Sequence, residues 1–406
     1  MFRLYDAQKD KEAVYRIWRE IGWLAPGKEI AMDYHIAASR ALVAEINGQA
    51  ETLVLTTPGS MRYRQRDLPF SCVSAVTTSH VARKQGLATR LTALALAEAA
   101  RQGKAVSGLG MFEQGFYNQL GFGTGSYEHI FFFEPARLKA TVNARIPIRL
   151  TKDDYARVHR ARLGRLRCHG STNLDHENMT RVEMQWDKCF GLGYETADKE
   201  ISHFVWFHAG SMEHGPYYVE FLAYRNLHQF MELLALLRNL GDQVRQVRMV
   251  EPPGVQLQEL LKQPFRFRQI TNRGPYASQA RATAYWQVRI LDLHACISAA
   301  AKPAEEMRFN LDLRDPVSAL LSKEDSWQGI GGKYTVTLGD KAGARTGWEN
   351  GLPMVKTSVN ALTRLWLGVL PATALAVQDF MDAPADLLER LDAYFLLPMP
   401  HVDWEF

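Results

Sequence analysis

Between residues 72 and 101 the chain brings together residue types that could hold a diphosphate. An apolar segment ends at Val76-Thr77-Thr78, and a turn then carries Arg83-Lys84-Gln85-Gly86-Leu87-Ala88. Leu87–Arg101 comes at once and reads as a helix, because Leu87, Leu91 and Leu94 share a face and Gly103 stands where a C-terminal cap is expected. Glycine lets backbone approach a ligand closely, and the free N–H groups at a helix start face an anion with the helix dipole behind them. Arg83 and Lys84 add formal positive charge. Two other glycine-rich stretches fit phosphate chemistry less well. Gly331-Gly332-Lys333-Tyr334 lacks the hydroxyl residue that a P-loop needs after its lysine, and reads as a hairpin turn. A dinucleotide fingerprint starting at Gly108 and Gly110 would need glycine at 113, where Glu113 stands.

Other reactive types are scattered. Tyr117 lies closely after Glu113, His80 precedes the basic turn and reads as a loop residue, and His208 and His214 lack the company of further metal ligands. No metal site is expected. The four cysteines, Cys72, Cys168, Cys189 and Cys296, form no Cys-x-x-Cys pair, which argues against a disulfide framework or a structural zinc and suits a reducing cytoplasm. Arg149–Arg167 is rich in arginine and reads either as a solvated helix face or as one wall of an anion site.

The elements that must position these groups alternate. Phe2–Tyr5 reads as a strand and Asp10–Ile21 as a helix. Ala41–Ile46 and Thr52–Thr56 form strands about the turn Asn47-Gly48, Ser71–Val76 and Ala105–Leu109 are further strands, and Tyr127–Phe133 is another. This predicts an α/β domain over residues 1–140. Phe204–His208, Tyr217–Tyr224 and a helix at Leu227–Leu240 predict a second α/β domain over 141–290. From Trp286 the texture becomes α+β, with strands at Met307–Leu313 and Lys333–Leu338, a helix over Ser358–Leu367 with Ser358 as N-cap, and another at Ala385–Ala393. At 406 residues, 47% hydrophobic and 23% charged, the chain has the length and apolar content for several cores. A net charge of +4 suits an anionic small molecule and gives no concentrated basic patch for nucleic acid. The longest apolar run, Leu365–Val377, is too short for a bilayer and holds Pro371, so no membrane partner is expected.

Arg83-x-x-Gly86-x-Ala88 resembles the pyrophosphate motif of the GNAT acetyltransferases, and Phe116-Tyr117-Asn118-Gln119-Leu120-Gly121-Phe122 resembles that family's later block near the cofactor thiol. Ser74–Thr78, Arg83–Leu87 and Glu113–Tyr117 are similar to the enhanced-intracellular-survival (Eis-like) branch. So are the C-terminal segments Leu365–Gly368, Leu388–Phe395 and Trp404–Phe406. The resemblance implies a GNAT fold, a second GNAT-like domain and a sterol-carrier-like domain over 291–406, within the mixed α/β and α+β class.

For mechanism, the resemblance implies acetyl transfer from acetyl-CoA to a primary amine of a small, polycationic acceptor, aminoglycoside- or polyamine-like. The cofactor-binding set is then Val76, Thr77, Thr78, Arg83, Lys84, Gln85, Gly86, Leu87 and Ala88. The backbone of Val76 and Thr78 lines the pantetheine arm, and Val76 faces the thioester oxygen. Tyr117 becomes the general acid for the departing thiolate, and the α-carboxylate of Phe406 the general base. Glu113 is a reserve candidate for base or amine binding and Glu405 for amine binding; Asp382, Asp386, Glu389, Asp392, Asp403 and Glu405 oppose only Arg390 and would draw in a cation. The branch further implies a homo-oligomer, a hexamer by precedent. Gln85 stands where the family often has a third basic residue, and Trp23–Tyr34 matches the acceptor-side helices poorly. Two alternatives share these residues: a silent GNAT scaffold holding an apolar ligand in the sterol-carrier-like domain, and a protein lysine acetyltransferase.

Overall fold

A computed structural model describes residues 1–264 and 278–404. It has two compact units. One comprises Met1–Ser126, Cys168–Asp175 and the chain from Tyr285 onward; the other comprises Tyr127–Arg167 and His176–Ala284.

The first unit opens with β1 (Phe2–Leu4), α1 (Ala7–Glu20), α2 (Glu29–Ala37), β2 (Arg40–Ile46), β3 (Gln49–Tyr63), β4 (Arg66–Thr78), α3 (Leu87–Arg101), β5 (Val106–Gly110), α4 (Gln114–Asn118) and β6 (Gly123–Thr124). The sheet runs β1-β2-β3-β4-β5, then the late strand Trp286–Ile290, then β6, and Thr172–Leu174 pairs β3. Alternation along the strands divides the core between two faces, as the period of two requires. Leu53 and Leu55 of β3 join Val14, Tyr15 and Trp18 of α1, whereas Val54 joins Leu91 and Leu96 of α3. Asp6 caps α1 by accepting from the Gln8 N–H at 2.9 Å. The same unit holds a five-stranded sheet ordered Gly343–Thr346, Gly332–Leu338, Met307–Arg314, Met354–Ser358 and Met381–Asp382. Gly332-Lys333 thus opens a strand. Helix Val359–Trp366 comes next, and the Ser358 hydroxyl accepts from the Ala361 N–H as the sequence predicts.

The second unit has a seven-stranded sheet ordered Gln279–Thr283, Glu128–Phe133, Val247–Val250, Tyr217–Ala223, Ile201–Ala209, Cys189–Glu195 and Ile148–Leu150. Its core packs helix Leu227–Asn239 on Val205, Phe207, Val219 and Val247.

Two boundaries differ from the sequence reading. Glu128–Phe133, assigned there to the first domain, pairs with Val247–Val250 and Gln279–Thr283 in the second sheet. Trp286–Ile290 instead pairs β5 and β6 of the first sheet. Strand pairing over such sequence separations leaves no trace in local periodicity, so compositional boundaries at 140 and 290 could not register it. Of the arginines of 149–167, Arg149 and Arg160 are exposed and three are paired with carboxylates. Arg157 pairs with Asp154 and Glu195, Arg160 with Glu200, and buried Arg162 with Glu183.

Gly59 shows how closely the first sheet is packed. A Cβ there would lie 2.0 Å from the Asn173 carbonyl oxygen, against the backbone of the strand that pairs β3. Gly59→Ala is therefore expected to cost about 1–3 kcal/mol, read as a lower urea midpoint at unchanged m-value.

Candidate active site

Strand β4 pairs in parallel with β5 only where Phe70–Cys72 faces Val106–Gly108. Beyond Cys72 the β5 side of β4 has no ladder partner among the described residues. On the other side, Thr77 faces Leu53 and Ser74 faces Leu55, so Ala75 and Val76 together oppose the single residue Val54. Ala75 takes φ +50° at this bulge. A bulge adds a residue, bends the strand and re-aims the side chains beyond it. Here it lies next to Val76-Thr77-Thr78, the segment singled out from sequence. Thr77 is buried, its hydroxyl donating to the Ala75 carbonyl at 3.3 Å, while Val76 and Thr78 keep some exposure.

The turn after β4 is held from behind. The Ser79 N–H donates to the Glu51 carbonyl at 2.9 Å, and the His80 N–H to a Glu20 carboxylate oxygen at 2.7 Å. His80 therefore contributes to the turn through its backbone, with its ring exposed. Arg83, Lys84, Gln85 and Gly86 are exposed, and Lys84 and Gly86 take φ +62° and +73°. Gln85 Nε2 donates to the Val81 carbonyl at 3.3 Å and so braces the turn.

Gly86 is the N-cap of α3 and offers no side chain to the first amides of the helix, and the first turn holds no acidic residue. Other helices of the chain are capped by Asp6, Asn226, Asp292 and Ser358. Space beside the Gly86 Cα is open. An uncapped N-terminus next to two exposed cations, reached through left-handed backbone, suits a diphosphate. Leu87 and Ala88 begin the helix and keep partial exposure.

Tyr117 lies on the short helix α4, 3% exposed. Its ring packs edge-on against Phe116 at 4.9 Å, Phe112 at 6.1 Å and Phe122 at 6.2 Å. It shares one apolar cluster with Val73, Leu91 and Leu109, on which Val76 and Leu87 also pack. One core therefore joins the bulged strand, the start of α3 and the tyrosine. The phenol hydroxyl has no hydrogen-bond partner among the described residues. Burial, and to a smaller degree the Glu113 charge, raise its pKa well above the ordinary phenol value, so at neutral pH it keeps its proton.

Glu113 is placed differently from a free base. Its carboxylate caps α4, accepting from the Gly115 N–H at 3.0 Å and the Phe116 N–H at 2.8 Å. Glu405 and Phe406 lie outside the described residues. The segment before them is anchored: the Ser126 hydroxyl donates to the Pro400 carbonyl at 2.6 Å, the Thr172 N–H to Asp403 at 3.1 Å, and Trp404 is buried. The acidic tail is partly consumed by such contacts, since Asp392 accepts from both the amide and the hydroxyl of Thr373.

One group escaped the sequence reading. His35 Nε2 of α2 lies 3.1 Å from the Ser74 hydroxyl, beside the bulge. Burial pushes its imidazole down to about 4, which leaves it neutral at pH 7. No local pattern marks it, because α2 has little amphipathic periodicity and its contact to β4 spans 39 positions. Among the described residues no group of three or more His, Cys, Asp or Glu side chains is arranged to hold a metal ion. No helix among them is long and apolar enough to cross a membrane.

Residues 7–125 match the family model described as Acetyltransferase (GNAT) domain. These residues thus form a GNAT acetyltransferase domain. This family uses acetyl-CoA. A search of curated protein sequences found no match. Among solved structures, a probable N-acyltransferase from Enterococcus faecalis is similar at TM-score 0.80 and 16% identity, over 100% of this chain and 99% of that one. A GCN5-related N-acetyltransferase from Kribbella flavida gives 0.74 and 19%, over 100% and 98%. Eis1 from Mycobacterium abscessus gives 0.74 and 16%, over 100% of both chains. At these identities the likeness is one of fold, and it extends the Eis-like architecture over the full chain.

The site generates two expected outcomes. Gly86→Val would force a β-branched residue to φ +73°, a left-handed conformation that costs such residues about 1–2 kcal/mol. Its affinity for coenzyme A, measured by calorimetry, is expected to fall about tenfold or more, with the thermal midpoint less affected. His35 gives a pH signature. Its folded pKa lies below the unfolded value of about 6.5, so between the two the unfolded chain takes up a proton that the folded chain refuses. Stability is therefore lost as pH falls from 6.5 towards 4. The slope is below about 1.4 kcal/mol per pH unit, because the residue keeps some solvent contact. Urea titrations across this window are expected to show a shallower slope for His35→Asn.

Proposed function

We propose that this GNAT chain transfers an acetyl group from acetyl-CoA to a primary amine of a small, polycationic acceptor of the aminoglycoside or polyamine kind. The observation that carries the reading is the uncapped start of α3 at Gly86, next to the unpaired edge of β4 and packed on the same core as a partnerless phenol. The acceptor class rests on the Eis-like resemblance.

Acetyl-CoA supplies the acyl group as a thioester. The residues of this chain do the rest. The N–H groups of Gly86, Leu87 and Ala88 and the cations Arg83 and Lys84 hold the pyrophosphate, while Gln85 keeps the turn in shape. The free edge at Val76–Thr78 holds the extended arm as an added strand would be held, with the Val76 N–H directed at the thioester oxygen. As the amine nitrogen bonds to the acyl carbon, the carbon–sulphur bond breaks and the thiolate takes a proton from the Tyr117 hydroxyl. The amine gives up its own proton to a base, a role the resemblance assigns to the Phe406 carboxylate. Burial keeps the Tyr117 phenol protonated at neutral pH, so its proton is in place before transfer, although the raised pKa also makes it a weaker acid. By the same resemblance the working form is a homo-oligomer, which light scattering would show.

The test is thiol release from acetyl-CoA in the presence of a panel of polyamines and aminoglycosides. Tyr117→Phe is expected to lower kcat about 10²-fold with little change in coenzyme A affinity. The double change R83E/K84E is expected to raise the KM for acetyl-CoA at least about tenfold. Tight coenzyme A binding without acetyl transfer to any amine would favour the silent-scaffold reading instead. Transfer confined to protein lysines would replace the small acceptor.

A further inference from the structure

The backbone just after Tyr117 is gripped by side chains that come from more than 160 positions later in the chain. Asn360, on helix Val359–Trp366, donates through Nδ2 to two carbonyls at once, Asn118 at 2.9 Å and Phe122 at 2.7 Å. Those carbonyls flank the turn that ends α4. Gln287 Nε2 donates to the Asn118 side-chain oxygen at 2.7 Å. Between them, Arg289 donates to the Leu120 carbonyl.

Arg289 is itself fixed. Its guanidinium pairs with Asp315 at 2.7 Å, both side chains being 0% exposed, and it lies over the Trp327 ring at 5.1 Å. Asp315 also accepts from the amides of Val317 and Ile330. The turn has been shaped to admit these groups. A Cβ at Gly121 (φ +84°) would meet Arg289 Nη1 at 2.8 Å, and one at Gly123 would meet the Asn360 carbonyl at 2.6 Å. Val317 and Leu321, from the same C-terminal region, belong to the apolar cluster that contains Tyr117.

A buried, bonded ion pair is seldom a net source of stability, because desolvation offsets the attraction; its gain lies in a defined geometry. Carbonyls at 120 and 122 left without these donors would force the turn to move, while that of 118 would keep only its local bond from the Gly121 N–H. A buried phenol that must reach a leaving sulphur tolerates little movement, since misplacement by about 1 Å can cost about 10²-fold in rate.

We propose that Asn360, together with the Arg289–Asp315 pair, is a positioning element that sets the Tyr117 hydroxyl through the 118–122 backbone. The inference rests on the role of Tyr117 as proton donor. On this reading the sterol-carrier-like region earns its place through the tyrosine it orients, whatever else it binds.

The experiment is a double-mutant cycle in the full chain, with Asn360→Ala, Tyr117→Phe and the combination. It is read as kcat and KM with acetyl-CoA and the best amine of the panel above. Asn360 is half-buried, so folding is expected to survive, with a thermal midpoint within about 4 °C of the parent. Asn360→Ala is expected to lower kcat about tenfold or more, leave coenzyme A affinity within about twofold, and add nothing further in the Tyr117→Phe background. Hydrogen exchange at amides 117–122 is expected to quicken in Asn360→Ala while that of α3 stays as in the parent; this readout needs no acceptor. If Tyr117→Phe alone leaves kcat unchanged, the assignment of the tyrosine fails, and the inference with it. If Tyr117→Phe slows turnover but Asn360→Ala does not, if the two effects add in full, or if exchange at 117–122 is unaltered, the positioning role is overturned while the tyrosine stands.

Discussion

The divergence of two neighbouring parallel strands after Cys72 is the constraint on which the rest of the site depends. As long as β4 and β5 share a ladder, their amides and carbonyls satisfy one another and can bind nothing. Once they part, β4 presents an edge, and the bulge at Ala75-Val76 turns it. An open edge in a sheet interior would be costly unless something else held the strands apart. Strand Trp286–Ile290 pairs along the whole of β5 and fixes it on its far side.

From this opening the chemistry is arranged by two different physical means. At one end, α3 begins without a cap, and two residues of left-handed backbone bring its amides to solvent. At the other, the phenol of Tyr117 is enclosed by aromatic edges and deprived of partners. The first leaves amides unsatisfied at the surface. The second is a phenol kept neutral by burial. A common apolar cluster ties them together, and the hydrogen bonds from Gln287, Arg289 and Asn360 make the tyrosine's turn a shared product of the beginning and end of the chain.

The second unit supplies an internal contrast. Strand Tyr217–Ala223 pairs with Val247–Val250 only at Tyr217 and Tyr218, and the register on its other side shifts between Trp206 and Phe207. The same parting of strands is thus present. Yet only Tyr224, Arg225 and Asn226 separate the strand from helix Leu227–Asn239, and the Asn226 side chain accepts from the Gln229 amide at 3.0 Å. The amides that Gly86 leaves open are closed here from within the chain. In this unit Arg157, Arg160 and Arg162 pair with carboxylates.

Local residues determined the cradle. The start of α3 at Gly86, its apolar face, the Asn47-Gly48 turn and the Ser358 cap all act within a few positions, and each was legible in the sequence. The family resemblance, too, rests on such short segments, and so does the place of Tyr117. Tertiary structure alone decided the rest. Glu113 turned out to be a helix cap, because a carboxylate two and three residues before free amides satisfies them better than solvent can. His35 met Ser74, strand Trp286–Ile290 crossed to the first sheet, and Asn360 closed on the turn after Tyr117, each through contacts between positions tens to hundreds of residues apart. Periodicity and spacing describe what a segment can become on its own; which distant segment it then touches depends on packing the whole chain at once.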